Sequence, residues 1–350
     1  MCVPRARLAV GVGLLLPLLA VVLENLILPA AMPDFYRNAS APLTQDQLEA
    51  FEKTGFVTLP GVIPSAMVAR RLLDELHLIQ DEAEAQMEAE SIESGQWDPA
   101  SSGAHQTQCT YAFARDADGT LSRPARLHKA QGVGLRSPLV RETLSFAPLA
   151  NAAAYLVRRG VPASRHPPEV DAFGTKFFPV EAGTAGSVSW HDDNYYFGTS
   201  RSHTISCVVY LRDVKMPTGC MRVLPGSHQD TVVGYARAHL YKSVPEQHGE
   251  YIPETVITDG ALATDMAGKR RPAIDVEVTA GTAVLFDANL LHAAHPNRGG
   301  QSASERIAFH YIPGDLDTGF RGTSFARGAF ADRHMAVGAR ENLPLDRPSV

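Results

Sequence analysis

Phe173-Gly-Thr-Lys-Phe-Phe-Pro-Val180 is where the chain changes its period. Upstream, apolar residues recur at helical spacing. From Phe173 onward they alternate with polar ones, as they do on a half-buried strand. Gly174 to Val180, Thr204 to Arg212, Met221 to Leu224, Ile274 to Val278, Thr282 to Phe286 and Arg306 to Ile312 all read as strands separated by Gly, Pro and Asp turns. Strands that follow helices, with few helices between them, predict a mostly β fold: an antiparallel sandwich or jelly roll with helices on its amino-terminal side.

Working back toward the amino terminus, Thr44 can cap a helix whose apolar positions include Leu48 and Phe51. Gly55 to Gly61 is a short strand closed by a Pro-Gly turn. Ser65 opens a second helix with Val68, Leu72, Leu73, Leu76 and Ile79 on its apolar face, and its acidic continuation from Asp81 to Glu90 reads as a solvated face. Residues 92 to 130 read as a long loop region with one strand near Thr110 to Ala114, and loops of that length are often lids. Leu139 to Val157 is predicted as a helical segment. Residues 231 to 273 form a long insert, and 319 to 350 a peripheral tail after the domain at 43 to 318.

The chain has 350 residues, 45% of them hydrophobic, which supplies a sizeable core. A net charge of -6 leaves no basic footprint, so nucleic acid is excluded as a partner. Cys2, Cys109, Cys207 and Cys220 form no C-x-x-C pair. Cys207 reads as a core residue, while a disulfide through Cys109 or Cys220 stays open in an oxidising compartment.

Residues 1 to 32 read as a targeting segment outside the fold. Arg5 and Arg7 precede an apolar run from Leu8 to Leu28, broken by Glu24. Its 21 residues would make about 32 Å of helix, enough for a ~30 Å hydrocarbon core. Pro17, Gly11 and Gly13 weaken it as a membrane span. Three readings stay open: a signal-anchor with a lumenal domain, a cleaved signal peptide, or a transit segment to a mitochondrion or other organelle. The Asn38-Ala39-Ser40 sequon is consistent with a secretory placement.

Trp190-His191-Asp192-Asp193 carries chemistry. In extended backbone, residues 191 and 193 project to one side and 192 to the other, so His191 and Asp193 form a ligand pair. A second histidine is needed from a later strand, and His292 and His295 both follow the run Gly281-Thr-Ala-Val-Leu-Phe286. Two imidazoles and one carboxylate are the donor set of catalytic Fe(II), with open positions for a chelating co-substrate and O2. Arg306 opens a strand, and its planar guanidinium suits bidentate pairing with a dicarboxylate.

These residues resemble the phytanoyl-CoA dioxygenase family of Fe(II)/2-oxoglutarate oxygenases. Leu43 to Gly61 is similar to the family's opening helix and strand, and Trp190-His-Asp-Asp193 to its W-H-x-D motif. Thr218-Gly-Cys-Met-Arg-Val-Leu-Pro-Gly-Ser-His228 is similar to its N-G-x-L-x-V-x-P-G-S-H segment. His292 with Asn297 and then Arg306 resembles the terminal H-x4-N and R elements. The resemblance spans about 43 to 314 and implies a cupin-like double-stranded β-helix. It implies His292 as the distal metal ligand beside His191 and Asp193, with Arg306, Ser206 and Lys176 on 2-oxoglutarate. Arg306 lies further from His292 than the family's arginine does from its histidine, with the extra residues in Gly299 to Ser304. Measured from His295 the spacing is met, which keeps that histidine as the rival.

The expected activity is hydroxylation of a C-H bond in a small organic or lipid-like substrate, with release of succinate and CO2 and with ascorbate as a reductant. Asp193 fills the position that halogenating relatives leave open. The alternatives are a non-catalytic jelly-roll binding or scaffold protein that keeps the metal face, and a zinc hydrolase, which would leave Arg306 unexplained. His310 and His228 read as structural histidines, and Asn194 to Phe197 as either substrate lining or core. Substrate identity and oligomeric state are not legible.

Overall fold

In the computed structural model, the described residues are 43–65, 68–90, 95–97, 109–116, 119–159, 170–183, 187–197, 204–229, 239–244, 249–260, 262–265, 268–298, 303–313 and 335–337. The apolar segment at 8–28 and most of the tail lie outside them. Among the described residues no helix is long and apolar enough to cross a membrane.

The chain opens with α1 (Gln45–Thr54), capped by Thr44 and Gln47 in a reciprocal capping box and ended by Gly55 in the left-handed region at φ 89°. Then come β1 (Phe56–Leu59), a π-helical turn at Val68–Leu72 and α2 (Leu73–Glu90). Short strands β2 (Gln96–Trp97), β3 (Thr110–Phe113) and β4 (Leu127–Gln131) precede α3 (Pro138–Leu144) and α4 (Ala147–Arg158). The single helical segment expected at 139–157 is thus two helices. Pro148 sits in the first turn of the second, where its missing N–H costs nothing and where the chain must restart.

Next follow β5 (Val170–Phe178), β6 (Val188–His191), α5 (Asn194–Phe197), β7 (Ile205–Tyr210) and β8 (Met221–Val223). The insert at 231–273 contains the hairpin β9 (Lys242–Val244) and β10 (Gly249–Tyr251), and α6 (Glu254–Thr258). The chain closes with β11 (Ile274–Val276), β12 (Ala283–Asp287), β13 (His292–Ala294), β14 (Arg306–Pro313) and β15 (Met335–Val337). The described strands form a large sheet in the order β1-β12-β7-β14-β5-β4-β3-β2, with β15 also on β5, and a smaller one in the order β11-β8-β13-β6. The paired strands are antiparallel throughout. This is the two-sheet jelly-roll arrangement expected from the strand pattern.

The alternation within the large sheet decides what goes where. In β7 and β14, Ile205, Cys207, Val209, Ile307, Phe309 and Tyr311 pack into the core shared with α1, α2 and α4. Their even-numbered neighbours face the smaller sheet. Tyr210, Val284 and Phe286 meet Met221 and Val223 there in a second core. Gly174, at φ 66°, lies where β5 slips by one residue against β14, so Phe173 pairs with His310 while Lys176 pairs with Ala308.

The acidic run on α2 does more than face water. Glu84 accepts the Leu127 N–H at 2.7 Å and Glu88 the Ala125 N–H at 2.6 Å, while Glu82 bonds Arg136. Carboxylates there take backbone donors that β5, already diverging from β4, does not reach. The stretch expected to be mostly loop therefore contains β4, a strand of the large sheet between β5 and β3 that the α2 carboxylates help to hold. Cys109, Cys207 and Cys220 are buried free thiols, so no disulfide links them.

Gly281, at φ 78°, brings its α-carbon against the loop after β1, where an added Cβ would lie 2.4 Å from the Ile63 carbonyl oxygen. Gly281→Ala combines a left-handed backbone with a clash against main chain and is expected to cost about 2–4 kcal/mol. Urea denaturation at unchanged m-value measures it.

Candidate active site

His191 ends β6 and His292 begins β13, and the two strands pair so that these residues stand directly opposite each other. Their rings lie 4.2 Å apart between centroids. Each ring is pinned in the same way. His191 Nδ1 lies 2.9 Å from the Ser189 carbonyl and His292 Nδ1 2.9 Å from the Leu290 carbonyl, two residues back in each case. A carbonyl only accepts, so Nδ1 carries the proton in both rings and both Nε2 lone pairs are left for another partner.

Those lone pairs converge on Asp193. Its Oδ1 is 3.8 Å from His191 Nε2 and its Oδ2 3.9 Å from His292 Nε2. The three ligand atoms lie within 4.8 Å of one another. Asp192 points elsewhere: its side chain accepts from the Tyr195 N–H at 2.8 Å and from the Tyr241 hydroxyl at 2.8 Å, starting the turn into α5. Asp193 is thereby held at the mouth of that turn with its carboxylate free to face inward.

The rival histidine lies outside the cluster. His295 Nε2 is 2.8 Å from Asp275 Oδ1. Asn297 is fully buried and donates to the Val180 carbonyl at 2.9 Å, tying the loop after β13 to the end of β5.

Around Asp193 runs a directed chain of donors. Lys176 Nζ is 3.1 Å from His310 Nε2, His310 Nδ1 is 3.0 Å from Ser206 Oγ, and Ser206 Oγ donates to Asp193 Oδ2 at 2.5 Å. A charged lysine can only donate, so the His310 proton sits on Nδ1 and the Ser206 proton goes to the carboxylate. Burial and then Lys176 hold His310 well below its ordinary pKa, consistent with a neutral ring. Burial raises the Asp193 pKa, but in the acid range where its carboxyl would protonate the neighbouring His310, His292 and His191 are themselves positive, and together with Lys176 they bring it below the usual carboxylate range, so it is ionised at physiological pH. Burial and the neighbouring His292 push His191 down to about 3, so its ring is neutral at physiological pH.

Arg306 is buried at the first position of β14 and donates to the Gly219 carbonyl at 2.6 Å. Among the described residues it forms no ion pair with a carboxylate. The Tyr210 ring lies 5.8 Å from its guanidinium, and the buried Tyr210 hydroxyl sits beside the same cation. His191, Asp193, His292, Ser206, Lys176 and Arg306 line one cavity between the two sheets, with about 570 Å³ of empty space including its open mouth. A cation and a buried hydroxyl at one end, and a two-imidazole, one-carboxylate set at the other, suit a dicarboxylate that also reaches a metal.

Sequence reasoning missed Lys129. Its strand pairs with β5 so that Gln131 meets Lys176 and Ala130 meets Phe177, which puts Lys129 on the same inner face as Lys176 and Phe178. Among the described residues no carboxylate pairs with it. Only the recognition of β4 as a strand could have exposed it. Asn194 to Phe197 divide their roles. Tyr196 and Tyr251 stand edge-on to His191 at 5.9 and 5.5 Å, whereas Phe197 is buried against Phe173 and His310. Tyr195 stacks on Tyr241 at 3.7 Å.

A two-sheet β fold enclosing this donor set and an arginine-ended cavity defines the class of Fe(II)/2-oxoglutarate-dependent dioxygenases. The chain belongs to the phytanoyl-CoA dioxygenase family, whose model matches residues 51–305. It is 24% identical over 321 residues to an ectoine dioxygenase of Stutzerimonas stutzeri (strain A1501), spanning 90% of this chain and 91% of that protein. Among solved structures it is similar to EctD from S. alaskensis with 2-oxoglutarate and 5-hydroxyectoine, at TM-score 0.54 and 21% identity over 88% of this chain and 91% of that one. A crystal structure of EctD with bound Fe also matches, at TM-score 0.48 and 18% identity over 89% and 90% of the two chains.

Burial, and then Lys176, push Lys129 down to about 8 from an ordinary value of 10.5. Between those values the unfolded chain holds a proton that the folded one has lost, so stability rises with pH across the window, and the cost of the buried charge is full below it. Lys129→Met should raise the melting temperature of ligand-free protein at pH 7, and the gap over wild type should close as pH climbs from about 8 toward 10.5. Thermal melts across that range check it.

Proposed function

We propose that this protein hydroxylates a C–H bond of a small organic or lipid-like molecule. The overall balance is substrate C–H, 2-oxoglutarate and O2 in, and substrate C–OH, succinate and CO2 out. The observation that carries the reading is the convergence of His191, Asp193 and His292 in a cavity whose far end holds Arg306, which pairs with no carboxylate among the described residues. Iron held by these three side chains would supply the redox chemistry that activates O2, with ascorbate as the reductant that keeps it ferrous.

The chain's own residues do the rest. Ser189 and Leu290 carbonyls fix the tautomers that present both Nε2 lone pairs. Ser206 occupies one oxygen of Asp193 and so orients the carboxylate, and the His310–Lys176 pair behind it supports that orientation. Arg306 and the Tyr210 hydroxyl receive the distal carboxylate of 2-oxoglutarate, and Lys129 adds a second cation on the same face. Tyr196 and Tyr251, edge-on to His191, line the approach for substrate. The match to an ectoine dioxygenase along 90% of the chain favours a small metabolite over a macromolecule. For residues 1–32 we propose a targeting role that brings the enzyme to the secretory pathway, lumenal or membrane-anchored.

Purified protein given Fe(II), 2-oxoglutarate and ascorbate should form succinate in air. Asp193→Ala should abolish it, and Arg306→Met should raise the KM for 2-oxoglutarate at least tenfold, the loss of a charge-assisted pair worth about 1.5–3 kcal/mol. Succinate formation unchanged in Asp193→Ala would overturn the assignment.

A further inference from the structure

Outside the cavity, the small sheet gathers a second set of metal-binding side chains. Cys220 immediately precedes β8, Asp275 lies in β11 and His295 immediately follows β13, and these are three adjacent strands. The His295 N–H donates to the Cys220 carbonyl at 3.0 Å, and Asp275 pairs across the sheet with Arg222, two residues from Cys220. Strand pairing therefore fixes all three positions relative to one another. Their ligand atoms, one sulfur, one imidazole nitrogen and one carboxylate oxygen, lie within 4.8 Å of each other.

We propose that Cys220, Asp275 and His295 form a second metal site, taking a zinc-class divalent ion. A thiolate with an imidazole and a carboxylate is a mixed soft and borderline donor set, which favours Zn(II) or Co(II) over the hard cations Mg(II) and Ca(II). Bonds of zinc to these donors would set them roughly 3.3 to 3.7 Å apart. The His295–Asp275 contact of 2.8 Å is a little closer than that and all three ligand atoms lie within 4.8 Å, so binding needs modest side-chain rotations, which the exposed Asp275 can make. That exposure also leaves a fourth position open to water.

The local charge suits a dication. Asp275 and the neighbouring Glu277 are acidic, and the nearby cation Arg222 is shared with Glu254, which it meets at 3.0 Å. The buried Cys220 thiol, raised to about 12 by burial and by Asp275 and Glu277, is no nucleophile on its own. On binding it would release its proton to solvent and enter as thiolate. Occupancy would staple β8, β11 and β13 together one residue from Gly219, whose carbonyl holds Arg306.

The test titrates the full-length protein, freed of metal, with Co(II). Wild type should bind two equivalents and develop an ultraviolet thiolate-to-cobalt charge-transfer band. Asp193→Ala should bind one equivalent and keep the band, because the cavity donors His191, Asp193 and His292 include no sulfur. Asp193→Ala combined with His295→Gln should lose the band and the thermal stabilisation given by Zn(II), and Cys220→Ser should do the same. His295 is partly exposed, so its variant remains informative if the Cys220 variant misfolds. A folded Asp193→Ala protein that shows no sulfur band would overturn this second site without touching the iron assignment.

Discussion

The catalytic arrangement depends on one backbone constraint: β6 and β13 pair in the register that sets His191 opposite His292. Two imidazoles brought together this way need no flexible loop to find each other. Their Nδ1 protons are occupied by carbonyls two residues back in the chain, which removes the tautomer that would turn a proton toward the space between the rings and Asp193. Asp193, two residues past the strand end, then has only to turn inward, and the α5 turn started by Asp192 achieves that.

The large sheet supplies the second half of the site by the same logic. Arg306, Ser206, His310 and Lys176 come from three neighbouring strands and share a face because their pairings place them side by side. The opposite face is filled by Ile205, Cys207, Val209, Ile307, Phe309 and Tyr311 against the helices. Burial of that apolar face drives the sheet together, at about 25 cal/mol per Å² removed from water. The polar inner face, with Arg306, Lys176 and Asp193, is carried along at the cost of burying those charges.

Much of this was legible in the amino-acid order because strand alternation and short motifs are local signals. The helices at Gln45 and Leu73, eight of the strands and the contrast between Asp192 and Asp193 could be read from spacing alone. His292 could be separated from His295 only through family resemblance, since both lie on the same short stretch and differ in what they face three-dimensionally. Lys129 was hidden because Leu127–Gln131 is short and lacks clear alternation, and becomes a strand through pairing with β3 and β5 and the carboxylates of α2. The acidic run looked solvated because sequence does not reveal which backbone donors will be left without a partner.

The odd-even division of β7 and β14 limits how this enzyme can change. A one-residue deletion inside either strand would exchange Ser206 for Cys207, or His310 for Phe309, swapping greasy packing with chemistry in a single step. Gly174 is the one described place in β5 where such a phase change has been absorbed. Changes of length are therefore confined to the connecting loops and the insert, where they can drift without turning the scaffold inside out.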